Sequence, residues 1–183
     1  MRFERTPPAS GGVVSPQALT DYLRITSADL AEVTSFADVA AAEIEAYTGL
    51  ALLHQEIVAI VDAAAGRVVD LPVGPAATDA TATVQVVEDD GILTPVVSGF
   101  WLEHGRYPRL RFAAPPPEGR LRITYTAGYG ATSATVPADL AHAILAHTAK
   151  LYETRGDCEG SGLSPGLALA AARIAARYRR VAL

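Results

Sequence analysis

Apolar residues first recur at helical spacing. Leu30, Val33, Ala37, Ala40, Ile44 and Tyr47 follow one another at three- and four-residue steps, which puts them on a single stripe of a helix. Glu32, Asp38, Glu43 and Glu45 lie off that stripe. Gly49 stands just past its end, where a residue free of the Cβ penalty in the left-handed region stops a helix. Thr26-Ser27-Ala28-Asp29 ahead of it has capping-box spacing, predicting that Thr26 accepts from the Asp29 amide. A shorter helix is predicted to open at Ser15-Pro16, with proline where a missing N–H costs nothing and with Leu19, Leu23 and Ile25 as apolar marks.

From Leu53 the period changes to two. HQEIVAIV, RVVDL, ATVQVVE, ILTPVV, FWLEHG, RLRF and RLRITYT are short runs rich in Val, Ile, Thr and aromatics, divided by turn signals. Asp89-Asp90-Gly91 has the chemistry of a hairpin turn, and Pro115-Pro116-Pro117 is a stiff linker before the last run. The pattern predicts an antiparallel meander of five to seven strands in one sheet. Tyr129 to Ser133 reads as a reversal without the lysine of a phosphate-binding loop. A third helix follows, from about Thr135-Val136-Pro137 to Arg155, with Leu140, Ile144, Thr148 and Leu151 as its seam beside His147 and Tyr152. Helices, then strands, then helices predict an α+β fold. The expected organisation is a disordered leader over residues 1–14, one α+β domain over 15–155, and a hinge with a C-terminal helix over 156–183.

Charge sharpens the reading of that C-terminal segment. Of 183 residues, 15 are basic and 20 acidic, a formal −5. Residues 15–62 hold eight acids and one arginine, whereas after Glu159 there are four arginines and no acid. Without those four, the first 159 residues carry a formal −9, so the body lacks the basic face of a general nucleic-acid binder. The lone Cys158 can form no internal disulfide. MRFERTPPASGG has no apolar export segment and no long apolar run follows, so neither secretion nor membrane spanning is expected.

Catalytic chemistry finds no constellation. His142 and His147 are five apart, not the i,i+4 of two ligands on one helix; one exposed and one packed histidine is the plainer reading. His54 and His104 lack a nucleophile motif, Asp89-Asp90 falls short of a calcium loop, and Glu43 and Glu45 point to different helix faces. No enzyme, metal or cofactor is expected. What remains is the tail after Gly156-Asp157-Cys158-Glu159-Gly160-Ser161-Gly162. Leu163, Leu167, Ala170, Ile174, Tyr178 and Val181 form an apolar stripe with Arg173, Arg177 and Arg180 beside it. Cations near a helix C-terminus complement the macrodipole at about 0.3–1 kcal/mol each. So short a helix is marginal alone, and the sequence predicts that it docks on a partner outside its own subunit.

EIEAYTGLAL, TYTAGYG, VPADLAHAILAHTAKLYETR and YRRV occur in the order found in phage head–tail connectors. Over residues 15 to 183 the chain resembles the gp6-like connectors of long-tailed phages and the head–tail adaptors of gene transfer agents. The resemblance implies a non-enzymatic structural protein of the virion neck, assembled in a bacterial host cytoplasm. It implies a homo-oligomeric, twelvefold ring between the portal protein and the next neck or tail component, such as a head-closure or stopper protein. DNA would pass through its lumen without specific binding, and no membrane is involved. The residues expected to bind the portal are Leu167, Arg173, Ile174, Arg177, Tyr178, Arg179 and Arg180. A non-catalytic host scaffolding or regulatory module, gripping an acidic partner with the same cationic tail, is the competing reading; salt-dependent DNA binding would favour it.

Overall fold

The structure, a computed structural model, describes residues 1–6, 12–62, 66–155 and 166–179. The chain divides into two compact units, residues 1–9 with 53–131 and residues 10–52 with 132–183. This is not the expected division into one domain and a separate arm: the strand-forming middle builds its own core, and the C-terminal residues join the helices.

The first unit is antiparallel throughout. Its strands are β1 (Arg2–Arg5), β2 (Gln55–Asp62), β3 (Val68–Asp70), β4 (Ala82–Val87), β5 (Leu93–Val96), β6 (Phe100–Glu103), β7 (Arg109–Phe112) and β8 (Arg120–Ala127). All seven period-two runs form strands, but they divide into two sheets, β1-β2-β8-β4-β5 and β3-β7-β6. The last strand therefore sits centrally, between β2 and β4, rather than at the end of a meander. Its composition explains the place: Leu121, Ile123, Tyr125 and Ala127 alternate strictly inward and all are buried. Asp89-Asp90-Gly91 turns β4 into β5 as predicted. Gly91 takes φ 85° and donates to the Glu88 carbonyl at 2.9 Å, and the Asp90 carboxylate accepts from the Ile92 amide at 3.0 Å.

Residues 2–5 correct the expectation of an irregular leader. They pair with β2 from Arg2↔Ile60 to Arg5↔Ile57, satisfying backbone groups that β2 would otherwise leave open on that side. Three of the four side chains are exposed and the fourth is half-buried. A strand held by its ladder and burying so little leaves no hydrophobic pattern to read.

Tyr125, fully buried, ties a loop to the sheet. Its hydroxyl donates to the Val73 carbonyl at 2.8 Å and accepts from the Val73 amide at 3.1 Å. Tyr125→Phe would leave both buried groups unpaired and is expected to cost about 2–4 kcal/mol. Urea unfolding with amide exchange at Val73 measures it; an unchanged midpoint and unchanged protection would contradict the assignment.

In the second unit, α1 (Pro16–Leu23) begins at Ser15, whose hydroxyl accepts from the Ala18 amide at 3.2 Å. The α2 helix (Leu30–Thr48) ends at Gly49, with φ 73° and its N–H on the Glu45 carbonyl. The capping box is not formed. The Thr26 hydroxyl donates to the Asp29 carboxylate at 2.9 Å and the Asp29 amide goes to the Thr26 carbonyl, because the helix starts at Leu30 and Asp29 is itself the cap. Val33, Ala37, Ala40, Ala41, Ile44 and Thr48 form the buried face, and Tyr47 turns outward. A short 3-10 turn, Ser133–Thr135, leads to α3 (Ala138–Glu153), which buries Leu140, Ala143, Ile144, His147 and Thr148. The last described helix is α4 (Leu169–Ala175).

Candidate functional site

The C-terminal segment is not a free arm within the described residues. It lies on α3 and touches α2. Ala171 and Ala175 are fully buried and Tyr178 is only 9% exposed. Alanine at i and i+4 lets two helix backbones approach closely, so this seven-residue helix is seated by small residues. The inward stripe is thus Ala171, Ala175 and Tyr178, not Leu167, Ile174 and Tyr178. Leu167 and Ile174 are half-buried, and Ala170 is exposed. A run such as Ala170-Ala171-Ala172 presents a small apolar group in every phase, and only the packed partner selects one.

Polar contacts fix the same placement. The Tyr178 hydroxyl lies 2.7 and 2.9 Å from the two Asp139 carboxylate oxygens, and Arg177 Nη2 reaches Asp139 at 3.3 Å. Lys150 Nζ donates to the Gly166 carbonyl at 2.8 Å. His147, 1% exposed on α3, accepts the Ala168 amide at Nδ1 (3.2 Å) and faces Glu43 Oε2 across 2.6 Å from Nε2. An accepting Nδ1 leaves the ring proton on Nε2, directed at the carboxylate. His147 is therefore a structural connector of α2, α3 and the tail, and His142 is exposed, as the spacing argument has them. Glu43 and Glu45 diverge, the latter accepting the Leu52 amide at 2.6 Å.

Two further arginines are engaged inside the unit. Arg155 pairs with Glu32 at 3.3 Å while stacking on Tyr152, and the Arg179 guanidinium lies 5.6 Å from the Tyr47 ring centre. Of the residues predicted to bind a portal, Arg173, Arg177 and Arg179 are exposed, Tyr178 is committed inward, and Arg180 lies outside the described residues. The glycine-rich hinge with Cys158, and Leu163 and Val181 of the stripe, also lie outside them. Leu169, which the sequence did not single out, is 80% exposed at the start of α4. No helix among the described residues is long and apolar enough to cross a membrane. Among the same residues no group of three His, Cys, Asp or Glu side chains could hold a metal ion.

No protein-family model matches the chain, and no curated protein does. Solved structures do match. A chain in the neck of an empty gene transfer agent (GTA) particle with C6 symmetry superposes at TM-score 0.82 with 28% identity. One in the virion of a native GTA particle gives 0.80 and 27%, and one in the neck of a native GTA particle with C12 symmetry gives 0.75 and 29%. Each match covers 100% of this chain and 97% of the other. Over its whole length the chain is therefore similar to a neck protein of gene transfer agent particles, and the head–tail adaptor resemblance carried by its sequence motifs holds in three dimensions.

Proposed function

We propose that this chain is a structural protein of the neck of a phage-like particle. It forms a homo-oligomeric ring that joins the portal to the next neck or tail component and lets DNA pass. The observation that carries this reading is the full-length likeness, at TM-score 0.82 and 28% identity, to a chain of a GTA neck. A ring suits a subunit with two dissimilar surfaces, because heterologous contacts close on themselves when the rotation allows. Particles made without the chain are expected to accumulate as heads separate from tails; joined particles at wild-type yield would refute the assignment.

Portal binding belongs to the outward side of the C-terminal segment. Leu169 and Arg173 are exposed there, with Leu167 and Ile174 half-buried and Arg177 and Arg179 at the rim. Tyr178 supports this surface from beneath. Single contacts of this kind are weak, yet a ring multiplies them, since each docked tail raises the effective concentration of the rest. Leu169→Asp combined with Arg173→Glu leaves the buried alanines and Tyr178 in place. Attachment to portal-bearing heads is expected to fall about tenfold with the melting temperature unchanged. Attachment equal to wild type would place the portal contact elsewhere.

A further inference from the structure

Strands β1 and β5 are the two outer edges of the five-stranded sheet, and each is exposed on both faces. On β1, Arg2, Phe3 and Glu4 are exposed and Arg5 is half-buried over the Phe3 ring. On β5, Leu93, Thr94 and Pro95 are exposed and Val96 is half-buried. Exposure continues through the turn before β5 and into the loop after it, where Ile92 is 61% and Val97 93% exposed. Apolar groups on both faces of a hairpin contribute nothing to their own core, and such a patch marks a contact with another molecule. The edges differ in chemistry. The β5 side joins these apolar groups to the acidic turn Glu88-Asp89-Asp90, and the β1 side joins an exposed phenylalanine to two arginines and Glu4, which pairs with Arg2 at 3.3 Å and leaves the strand net positive.

We propose that the β4–β5 hairpin of one copy packs against strand β1 of the next copy, acid on arginine and Ile92 and Val97 on Phe3. Opposite edges with complementary charge are what a heterologous contact needs, and repeating it carries identical subunits around a ring. Pro95 offers no amide, so side chains make the contact and the backbone ladder is not extended through it. Both edges are short, β1 carries charges and β5 carries Pro95, features that oppose unregulated strand pairing while leaving a specific side-chain match open. This rests on the reading of the chain as a ring subunit.

Two charge-reversed full-length variants test it: Asp89→Arg with Asp90→Arg, and Arg2→Glu with Arg5→Glu. Each is supplied to heads lacking the chain, and rings are counted by electron microscopy. Alone, either variant is expected to form about tenfold fewer rings, because like charges then meet at every junction. An equimolar mixture is expected to restore them, since each reversed turn finds a reversed β1 on the other variant. Wild-type ring counts from either variant alone, or a mixture of folded variants that fails to recover, would overturn the contact while the ring reading stands. Should the wild-type chain itself form no ring on such heads, the ring reading fails and this inference falls with it.

Discussion

Gly128→Ala is expected to disrupt the strand unit, with a loss of more than about 3 kcal/mol. Gly128 follows β8 at φ 130°, a backbone region that L side chains rarely adopt. An added Cβ would lie 2.4 Å from the Leu53 carbonyl carbon and 2.7 Å from the His54 amide nitrogen, and closer still to the Leu53 oxygen. These are backbone atoms, so no rotamer change relieves the overlap. The His54 amide also donates to the Gly130 carbonyl at 2.8 Å, and the Gly128 amide to Pro75 at 2.8 Å. Any shift that accommodates the methyl disturbs those bonds. Hydrogen exchange along β2 and β8 should show protection lost there; protection within threefold of wild type would contradict the crowding argument. Gly91→Ala, at φ 85° with open space around it, meets a conformational cost without crowding and is expected to lose about 1 kcal/mol.

Removal of residues 166–183 is expected to damage the helical unit itself, and head attachment with it. The sequence alone predicts a folded body that has lost only its docking arm. The structure predicts otherwise, because Ala171, Ala175 and Tyr178 are buried there and Tyr178 bonds Asp139. Lost apolar burial amounts to about 3 kcal/mol, and the charge-assisted hydrogen bond adds about 2 kcal/mol. His147 would also lose the Ala168 amide from Nδ1. The measurement is amide exchange of α3 in the truncated chain: protection should fall by several powers of ten across residues 140–148. Full protection after truncation would mean that the segment contributes nothing to its own unit. Attachment lost on truncation therefore does not by itself identify a portal contact, and the Leu169→Asp, Arg173→Glu pair separates the two roles.

Much of the local structure was legible because its signals are local. The Ser15 cap, the Gly49 stop, the Asp89-Asp90-Gly91 turn and the inward alternation of Leu121, Ile123 and Tyr125 each depend on residues within a few positions of one another. Tyr47 was misread for a simple reason. Its spacing from Ile44 allows the stripe, but Thr48, one turn beyond Ile44, is the residue that packs, bonding its hydroxyl to the Ile44 carbonyl at 2.7 Å. Motif order made the neck resemblance visible, since EIEAYTGLAL and VPADLAHAILAHTAKLYETR lie on α2 and α3, the pair on which the C-terminal segment rests.

By itself the sequence determined the helices, the seven period-two strands, the α+β class and the opposite charge of residues 15–62 and of the segment after Glu159, because periodicity, turn chemistry and net charge are properties of neighbouring residues. Only the tertiary structure decided that β8 lies between β2 and β4, that residues 2–5 close an edge, and that Asp139 and His147 receive the tail. Those pairings join residues from 21 to 72 positions apart. Each is selected by which surface remains to be covered once the rest of its unit has packed, and that surface does not exist until the chain has folded.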